Sequence, residues 1–128
     1  MPKYMLLFYA AEADEKEREQ RDAELPAWFQ LTDSLREAGL LLGADRLHPV
    51  ESATTVRVRD GETEITDGPF AVTKEYLGGY FLLECADLDE ALEQAARVPL
   101  TRYGSVEVRP VAETPLPVAG EDEAETAP

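Results

Sequence analysis

Apolar residues recur along the chain in patterns that predict strands and helices in turn. Residues 3–10 are apolar on both alternating faces, which is typical of a central strand covered on both sides. Residues 12–24 are charged all round and predict either an exposed helical turn or a loop. A helix follows between Pro26, which suits a first helical turn, and Gly39, a natural stop. Its apolar residues share one face and are Trp28, Leu31, Leu35 and Ala38.

The middle of the chain predicts a β-hairpin. After a strand over residues 40–47, Asp60-Gly61 lies between two alternating runs and is a strong signal for a two-residue turn. One face of this hairpin carries opposite charges, and the other face is partly apolar. The turn sets five cross-strand pairs, which are Arg59–Glu62, Arg57–Glu64, Thr55–Thr66, Val58–Thr63 and Val56–Ile65.

A turn cluster over residues 66–70 separates the hairpin from the next strand. Gly78-Gly79 introduces that strand, which covers residues 80–85 and is again apolar on both faces. It ends on Cys85, the single cysteine of the chain, so an intramolecular disulfide is excluded. The apolar surroundings predict a buried, inert thiol.

A second helix and a last strand complete the pattern. Asp87 is a suitable N-cap, and Glu90 three residues later completes a capping-box pattern. Pro99 ends the helix, and the final strand covers residues 104–111. The apolar stripe of the helix consists of Leu88, Ala91, Leu92, Ala95 and Ala96.

The predicted order is β-α-β-β-β-α-β, an α+β domain over residues 1–111. Two helices cover only one face of such a sheet, yet the strands at residues 3–10 and 80–85 are apolar on both faces. A second copy of the same sheet would cover the open face, because closed twofold dimers are the commonest oligomers. The pattern therefore predicts a homodimer.

Charge and hydropathy narrow the choice of partners and compartment. The chain has a formal net charge of −15, from 12 basic and 27 acidic residues. This balance argues against nucleic acid and anionic membranes as partners, because both are bound mainly by Lys and Arg. No segment reaches the roughly 18 apolar residues that span a membrane, so we expect a cytoplasmic protein. Residues 112–128, rich in acids, Pro and Ala, predict a disordered tail.

Five short motifs, in order along the chain, carry a resemblance to a known family. They are Ala53-Thr-Thr-Val-Arg57, Thr66-Asp-Gly-Pro-Phe70 with Thr73-Lys-Glu75, Leu77-Gly-Gly-Tyr80, Asp87-Leu-Asp-Glu-Ala-Leu92 and Ser105-Val-Glu-Val-Arg-Pro110. Together they resemble the YCII-related proteins, in particular the DGPF branch named for residues 67–70. The resemblance covers residues 3–111 and implies a ferredoxin-like fold that pairs into a dimeric α+β barrel.

The resemblance also implies two kinds of function. DGPF-type proteins often occur beside extracytoplasmic-function sigma factors, and most have no established activity. Some relatives are suspected enzymes, because an Asp–His pair lies in a cleft and the fold resembles muconolactone isomerase. In the shorter relatives that His lies on the first helix, near the position of Trp28 here. This helix has no His, and the single histidine is His48.

Asp67 and His48 are the candidate catalytic pair. Asp67, beside apolar Phe70 and rigid Pro69, is suited to act as a general base. Asp-Gly-Pro is equally turn chemistry, in which the carboxylate binds nearby backbone amides. His48 suits proton transfer, but a histidine before a proline at a strand end is also a common surface residue. If both side chains met across the sheet, they would form a replacement dyad.

Five further residues are candidates for the site. Arg109 could hold an anionic ligand, because the guanidinium fork suits carboxylates. Lys74 and Glu75 follow the turn and could close over a pocket or pair with each other in solvent. Tyr80 could offer its hydroxyl to a substrate or simply pack in the core, and Phe70 is an apolar contact. Arg57 is better explained by its predicted partner Glu64.

Two functions remain open from the sequence. The first is a dimer with one pocket per subunit, between helices and sheet near Asp67, that binds a small anionic organic molecule. As an enzyme it would catalyse a proton transfer such as isomerisation, with Asp67 as base, His48 or Tyr80 as partner and no cofactor. One His and one Cys cannot form a His/Cys zinc site, and although carboxylates could still hold a hard cation, we assign no metal ligand. The second is a non-catalytic accessory protein linked to a sigma factor.

Overall fold

Four antiparallel strands and three helices make up the body of the protein. The computed structural model describes residues 1–113, so most of the predicted tail lies outside the described residues. Among these residues, no helix has both the length and the apolar character to cross a bilayer. The body consists of β1 (Lys3–Ala10), α1 (Glu15–Asp22), α2 (Leu25–Glu37), β2 (Leu41–Arg46), β5 (Tyr76–Glu84), α3 (Leu88–Ala96) and β6 (Ser105–Pro110). Two further strands, β3 (Thr54–Arg59) and β4 (Glu62–Asp67), form the hairpin.

The main sheet has the strand order β2-β5-β1-β6. This confirms the α+β class and is compatible with a ferredoxin-like fold. The predicted order β-α-β-β-β-α-β lacks two elements, because four strands rather than three lie between α2 and α3, and the extra helix α1 precedes α2. The hairpin forms a separate two-stranded sheet instead of extending the main one. Short 3₁₀ turns at Val50–Ser52 and Pro99–Arg102 complete the described chain.

The charged segment before α2 forms a helix because it is capped. The Glu17 backbone N–H donates to Asp14 Oδ1 at 2.7 Å, and the Glu17 carboxylate accepts from the Asp14 N–H at 3.5 Å. This capping box stabilises α1 although the helix buries no residue. After α2 the chain reverses at Gly39, whose φ of +75° is readily adopted by glycine.

The core lies between one face of the main sheet and the helices α2 and α3. The predicted helix faces are only partly right, since Ala38 and Ala96 are exposed, as are Leu88 and Leu92 at 46% and 47%. Cys85 is buried as predicted. The core consists of Tyr4, Leu6, Phe8, Leu31, Leu35, Phe81, Leu83, Cys85, Ala91, Ala95, Val98 and Leu100.

The opposite face of the main sheet is not packed by these helices. Leu7 lies opposite Tyr80 in the register, and Met5 lies opposite Leu82. These four side chains alternate with core residues and are half-buried. We call this surface the open face. Its apolar character is the one predicted for a sheet that a second layer covers.

The hairpin has the predicted register at all five cross-strand pairs. Asp60 and Gly61 both have positive φ, at 52° and 78°, as a type I′ turn requires. The expected role of Arg57 is wrong in detail, however. Its guanidinium donates to the Phe70 carbonyl oxygen at 3.0 Å, and no ion pair with Glu64 forms among the described residues. The backbone carbonyl is thus its partner.

Candidate functional site

A cavity of about 490 Å³ lies between the first two helices and the ends of β1, β2 and β5. This volume is in the range of small-molecule sites. Its apolar wall is a cluster of Phe8, Trp28 and Phe81, whose ring centroids lie 4.9–6.0 Å apart in edge-to-face geometry. Phe8 and Phe81 are buried, whereas Trp28 is half-buried. The cluster therefore presents a rigid aromatic surface to the cavity.

The mouth of the cavity carries arginines paired with acids. Arg18 on α1 lies 3.8 Å from the carboxylate of Glu51, and Arg46 on β2 lies 4.0 Å from that of Asp22. All four side chains are more than half exposed. Long, exposed ion pairs of this kind contribute little to stability. These two arginines can therefore turn to an acidic ligand at small cost.

A third arginine is held differently. Arg21 donates to the Ala11 carbonyl oxygen at 3.1 Å, and its guanidinium carbon lies 4.5 Å from the centre of the Tyr103 ring. All three groups line the cavity. Burial and the nearby Glu24 carboxylate raise the pKa of Tyr103. The phenol therefore remains neutral at physiological pH and acts as a packing surface for Arg21.

His48 is the one candidate catalytic residue that lines the cavity. It follows β2 on an exposed loop. The start of the loop is anchored to β5, because the Leu47 N–H donates to the Gly78 carbonyl at 2.9 Å, and the loop then closes on itself where the Ser52 N–H donates to the Pro49 carbonyl at 2.9 Å. The imidazole is thus positioned at the rim by a short, fixed segment.

Asp67 lies elsewhere, at the end of the hairpin strand β4. It is exposed and does not line the cavity formed by the described residues. The turn that follows is closed without its carboxylate. The Gly68 N–H donates to the Ala53 carbonyl at 2.7 Å, and Thr55 Oγ1 donates to the Gly68 carbonyl at 2.8 Å. Asp67 and His48 therefore do not share this cavity.

The loop after Asp67 also lies outside the cavity lining. Phe70 is 76% exposed, and Lys74 is exposed as well. The Glu75 carboxylate accepts a hydrogen bond from Ser105 Oγ at 2.9 Å, so its partner is Ser105 rather than Lys74. This contact ties the loop to β6 and leaves Lys74 as a surface cation.

Tyr80 and Arg109 lie on the open face, on the opposite side of the sheet from the helices. The Tyr80 hydroxyl donates to Asp45 Oδ2 at 2.7 Å, and this hydrogen bond with the nearby negative charge raises the pKa of Tyr80. Arg109 forms an ion pair with Glu107, which raises the pKa of the guanidinium. Both groups are therefore occupied by partners in their own chain.

Comparison with known proteins places the chain in a family. A model of the YCII-related domain matches residues 2–115. The chain belongs to the YCII-related family. It is similar to an uncharacterised protein of Rhizobium meliloti (strain 1021), with 51% identity over 80 residues. The matched region covers 59% of this chain and 63% of the relative, so the chain spans less than two thirds of that relative's length.

Sequence reasoning missed most of the residues that form the site of this YCII-related protein. Trp28 was assigned to the core face of α2, and Arg18 and Arg21 to a solvated charged run. No local signal marks them, because Arg18 and Arg46 lie 10 positions before and 18 positions after Trp28. The spacing alone does not show that these segments meet at one end of the sheet.

Proposed function

We propose that this YCII-related protein binds a small organic molecule, largely apolar and with one acidic group, in the cavity beside Trp28. The observation that carries the proposal is an aromatic wall with arginines at its mouth, in a chain of net charge −15. The apolar body of a ligand would pack on the Phe8–Trp28–Phe81 cluster. Its carboxylate would be held by a guanidinium fork from Arg18 or Arg46.

Within this site we assign proton transfer to His48. Histidine takes up and releases protons near neutral pH, and among the candidate acids and bases it is the one at the cavity rim. The base role therefore falls to His48 rather than to Asp67, and Tyr80 is not its partner. The resulting reaction class is proton transfer without a cofactor, such as an isomerisation. The family resemblance supports the location, because the His of shorter relatives falls near Trp28.

The functional unit in this proposal is a homodimer. The strand order of the main sheet supports a ferredoxin-like subunit, and the half-buried open face supports a second layer. Two open faces packed together would form a dimeric α+β barrel. We also place the chain in the DGPF branch, on the basis of residues 67–70.

Fluorescence of Trp28 tests the binding proposal directly, because it is the single tryptophan of the chain. Benzoate and phenylacetate should change its emission and bind at least about tenfold more tightly than benzyl alcohol, which lacks the charge. A double variant, Arg18→Gln with Arg46→Gln, should weaken binding of the acids alone, because both guanidinium groups are candidates to hold the carboxylate. Arg109→Gln, on the other face of the sheet, is the matched control. The proposal is wrong if no compound changes the emission or if both variants bind equally well.

Hydrogen exchange at carbon tests the assigned base. An unsaturated γ-lactone in D₂O should lose the NMR signal of its acidic C–H in the presence of the protein. His48→Gln should abolish this exchange, and Asp67→Asn should leave it unchanged. The opposite result would return the base role to Asp67. If a ligand binds to the wild-type protein and its C–H does not exchange, the function is limited to binding.

One observation favours the accessory role as a second candidate. The apolar face of the hairpin is exposed, as an interaction surface would be. An accessory protein predicts that carboxylates leave the Trp28 emission unchanged, while loss of the hairpin surface abolishes association with a partner. The same fluorescence titration therefore separates the two functions.

A further inference from the structure

The hairpin turns its polar face towards its own chain and its apolar face away from it. On the polar face, Thr55 and Arg57 donate hydrogen bonds to the carbonyls of Gly68 and Phe70. The loop over residues 68–70 therefore covers this face. The usual arrangement in a folded chain is the reverse, with apolar side chains inside and polar side chains in solvent.

The apolar face of the hairpin consists of three large aliphatic side chains and Thr63. Val56 is 61% exposed, Val58 is 60% exposed and Ile65 is 69% exposed. The register holds them together, because Val56 pairs with Ile65 and Val58 pairs with Thr63. None of these four carries a charge, and the face ends at the Thr54–Asp67 pair, where Asp67 places one carboxylate on the same side. We call this surface the hairpin face.

Two physical arguments require a partner for the hairpin face. An isolated two-stranded hairpin is marginally stable in water, and it needs a further apolar surface to pack against. Exposed, contiguous apolar patches on a protein of this size commonly mark interaction sites. The main sheet of the same chain does not supply that surface, because Val56, Val58 and Ile65 remain exposed.

A second copy of the chain is the partner that the open face of the main sheet also needs, because a twofold dimer would cover both apolar surfaces. Two copies at −15 each repel strongly, so a stable contact has to form where the surface is free of charge. The hairpin face is such a surface, and the strands behind it are balanced by two arginines and two glutamates at Arg57, Arg59, Glu62 and Glu64. Asp60 and Asp67 remain at the ends of the hairpin.

We infer that the hairpin is an arm whose apolar face packs on a second copy of this chain. The inference rests on the proposed homodimer and adds which element holds it together. A standard interface buries about 800 Å² on each partner, more than three aliphatic side chains provide. In a twofold dimer each arm reaches the other copy, so two hairpin faces and the open faces with Met5, Leu7 and Leu82 contribute together.

A single charge on the hairpin face tests the arm. Ile65→Lys places an ammonium group on that face, and Thr66→Lys is the matched control on the polar face of the same strand. Because both positions are exposed, neither change should unfold the chain, which circular dichroism verifies. Sedimentation equilibrium over a wide range of protein concentration then gives the dimer Kd for each variant and for the wild-type protein.

We expect the wild-type protein to sediment as a dimer. Ile65→Lys should raise the Kd by at least about a hundredfold, because each dimer would bury two unpaired lysines. Thr66→Lys should stay within about threefold of wild type. A wild-type dimer that Ile65→Lys leaves intact would overturn the arm but keep the homodimer. A wild-type monomer, or association only with a different protein, would overturn both, and equal dissociation by both variants would overturn the role of the apolar face.

Discussion

The first strand and the hairpin both carry large apolar residues at alternate positions, but the structure buries only those of the first strand. In β1 the alternate residues Tyr4, Leu6 and Phe8 are buried at 7%, 0% and 5% exposure. In the hairpin, Val56 and Val58 alternate in the same way along β3 and remain 61% and 60% exposed. The difference is the cover, because α2 and α3 pack on the main sheet and no described helix packs on the hairpin face. Alternation therefore determines register, and burial depends on what packs above it.

Truncation of one apolar residue in each region gives the largest expected effect. Leu6→Ala should destabilise the chain by about 2–5 kcal/mol, because the residue is fully buried and leaves a cavity. Ile65→Thr keeps the β-branched shape and should cost less than about 0.5 kcal/mol for the isolated chain. Urea unfolding at two protein concentrations measures both.

The dependence on protein concentration distinguishes the two variants Leu6→Ala and Ile65→Thr. The loss from Leu6→Ala should be the same at both concentrations, since the contact lies within one chain. The loss from Ile65→Thr should grow with concentration if the hairpin face is buried in a dimer. A large loss from Ile65→Thr at the lowest concentration would contradict the comparison and show that the hairpin packs on its own chain.

The fold was predictable where local chemistry determines the backbone. The Asp60-Gly61 turn fixed five cross-strand pairs, and the Asp87 carboxylate accepts from the Glu90 N–H at 2.9 Å as a capping residue should. Glu90 differs slightly from the prediction, since it reaches the Ala86 N–H instead of that of Asp87. These features depend on neighbours within a few residues, so the sequence contains the needed information.

The site was much less predictable, because it depends on long-range packing. Trp28 and His48 lie 20 positions apart in sequence and meet at one cavity through the paths of α2 and β2. No spacing rule connects them. The sequence favours Asp67 because it stands in a recognisable motif, but in the structure that motif forms the turn that follows the hairpin. The sequence motifs predict that Asp67 and His48 belong to one site, whereas the structure places Asp67 on the hairpin and His48 at the cavity beside the main sheet.

A glycine in the body gives the next largest effect. An added Cβ at Gly104 would meet the Tyr9 carbonyl oxygen and would lie 2.8 Å from a methyl carbon of Leu100. Gly104→Ala should therefore cost about 1–3 kcal/mol through overpacking. Gly43→Ala is the matched control, because its nearest neighbour is Leu82 at 3.9 Å. Thermal unfolding distinguishes them, and equal losses would show that the start of β6 is not tightly packed.

The polar face of the hairpin gives a smaller effect. Arg57→Gln removes the hydrogen bond to the Phe70 carbonyl and should cost about 0.5–1.5 kcal/mol. Arg59→Gln is the control, since this residue donates only to the adjacent Val58 carbonyl among the described residues. Amide hydrogen exchange over residues 68–75 should speed up for the first variant and not for the second. Similar exchange rates in both variants would show that the hydrogen bond from Arg57 does not hold the loop on the hairpin.

The smallest expected effect is a pH dependence of the free energy of unfolding, which arises from a buried thiol next to the main sheet. Burial, followed by the charges of Glu90 and Asp87, raises the pKa of the Cys85 thiol in the folded chain. The folded state then holds its proton more tightly than the unfolded state, so the free energy of unfolding falls as pH rises above the unfolded value of about 8.5. Urea unfolding between neutral and alkaline pH should show this fall.

Cys85→Ala is the variant that isolates the thiol. It should lower stability at neutral pH, because a buried side chain shrinks, and it should also flatten the alkaline slope. Tyr80 and Tyr103 have raised pKa values as well, but their ordinary values lie near 10, so their contribution begins at higher pH. An unchanged slope in Cys85→Ala would assign the alkaline loss to other groups. Because the hairpin has no buried titratable group, charge variants there should leave this slope as it is in the wild-type protein.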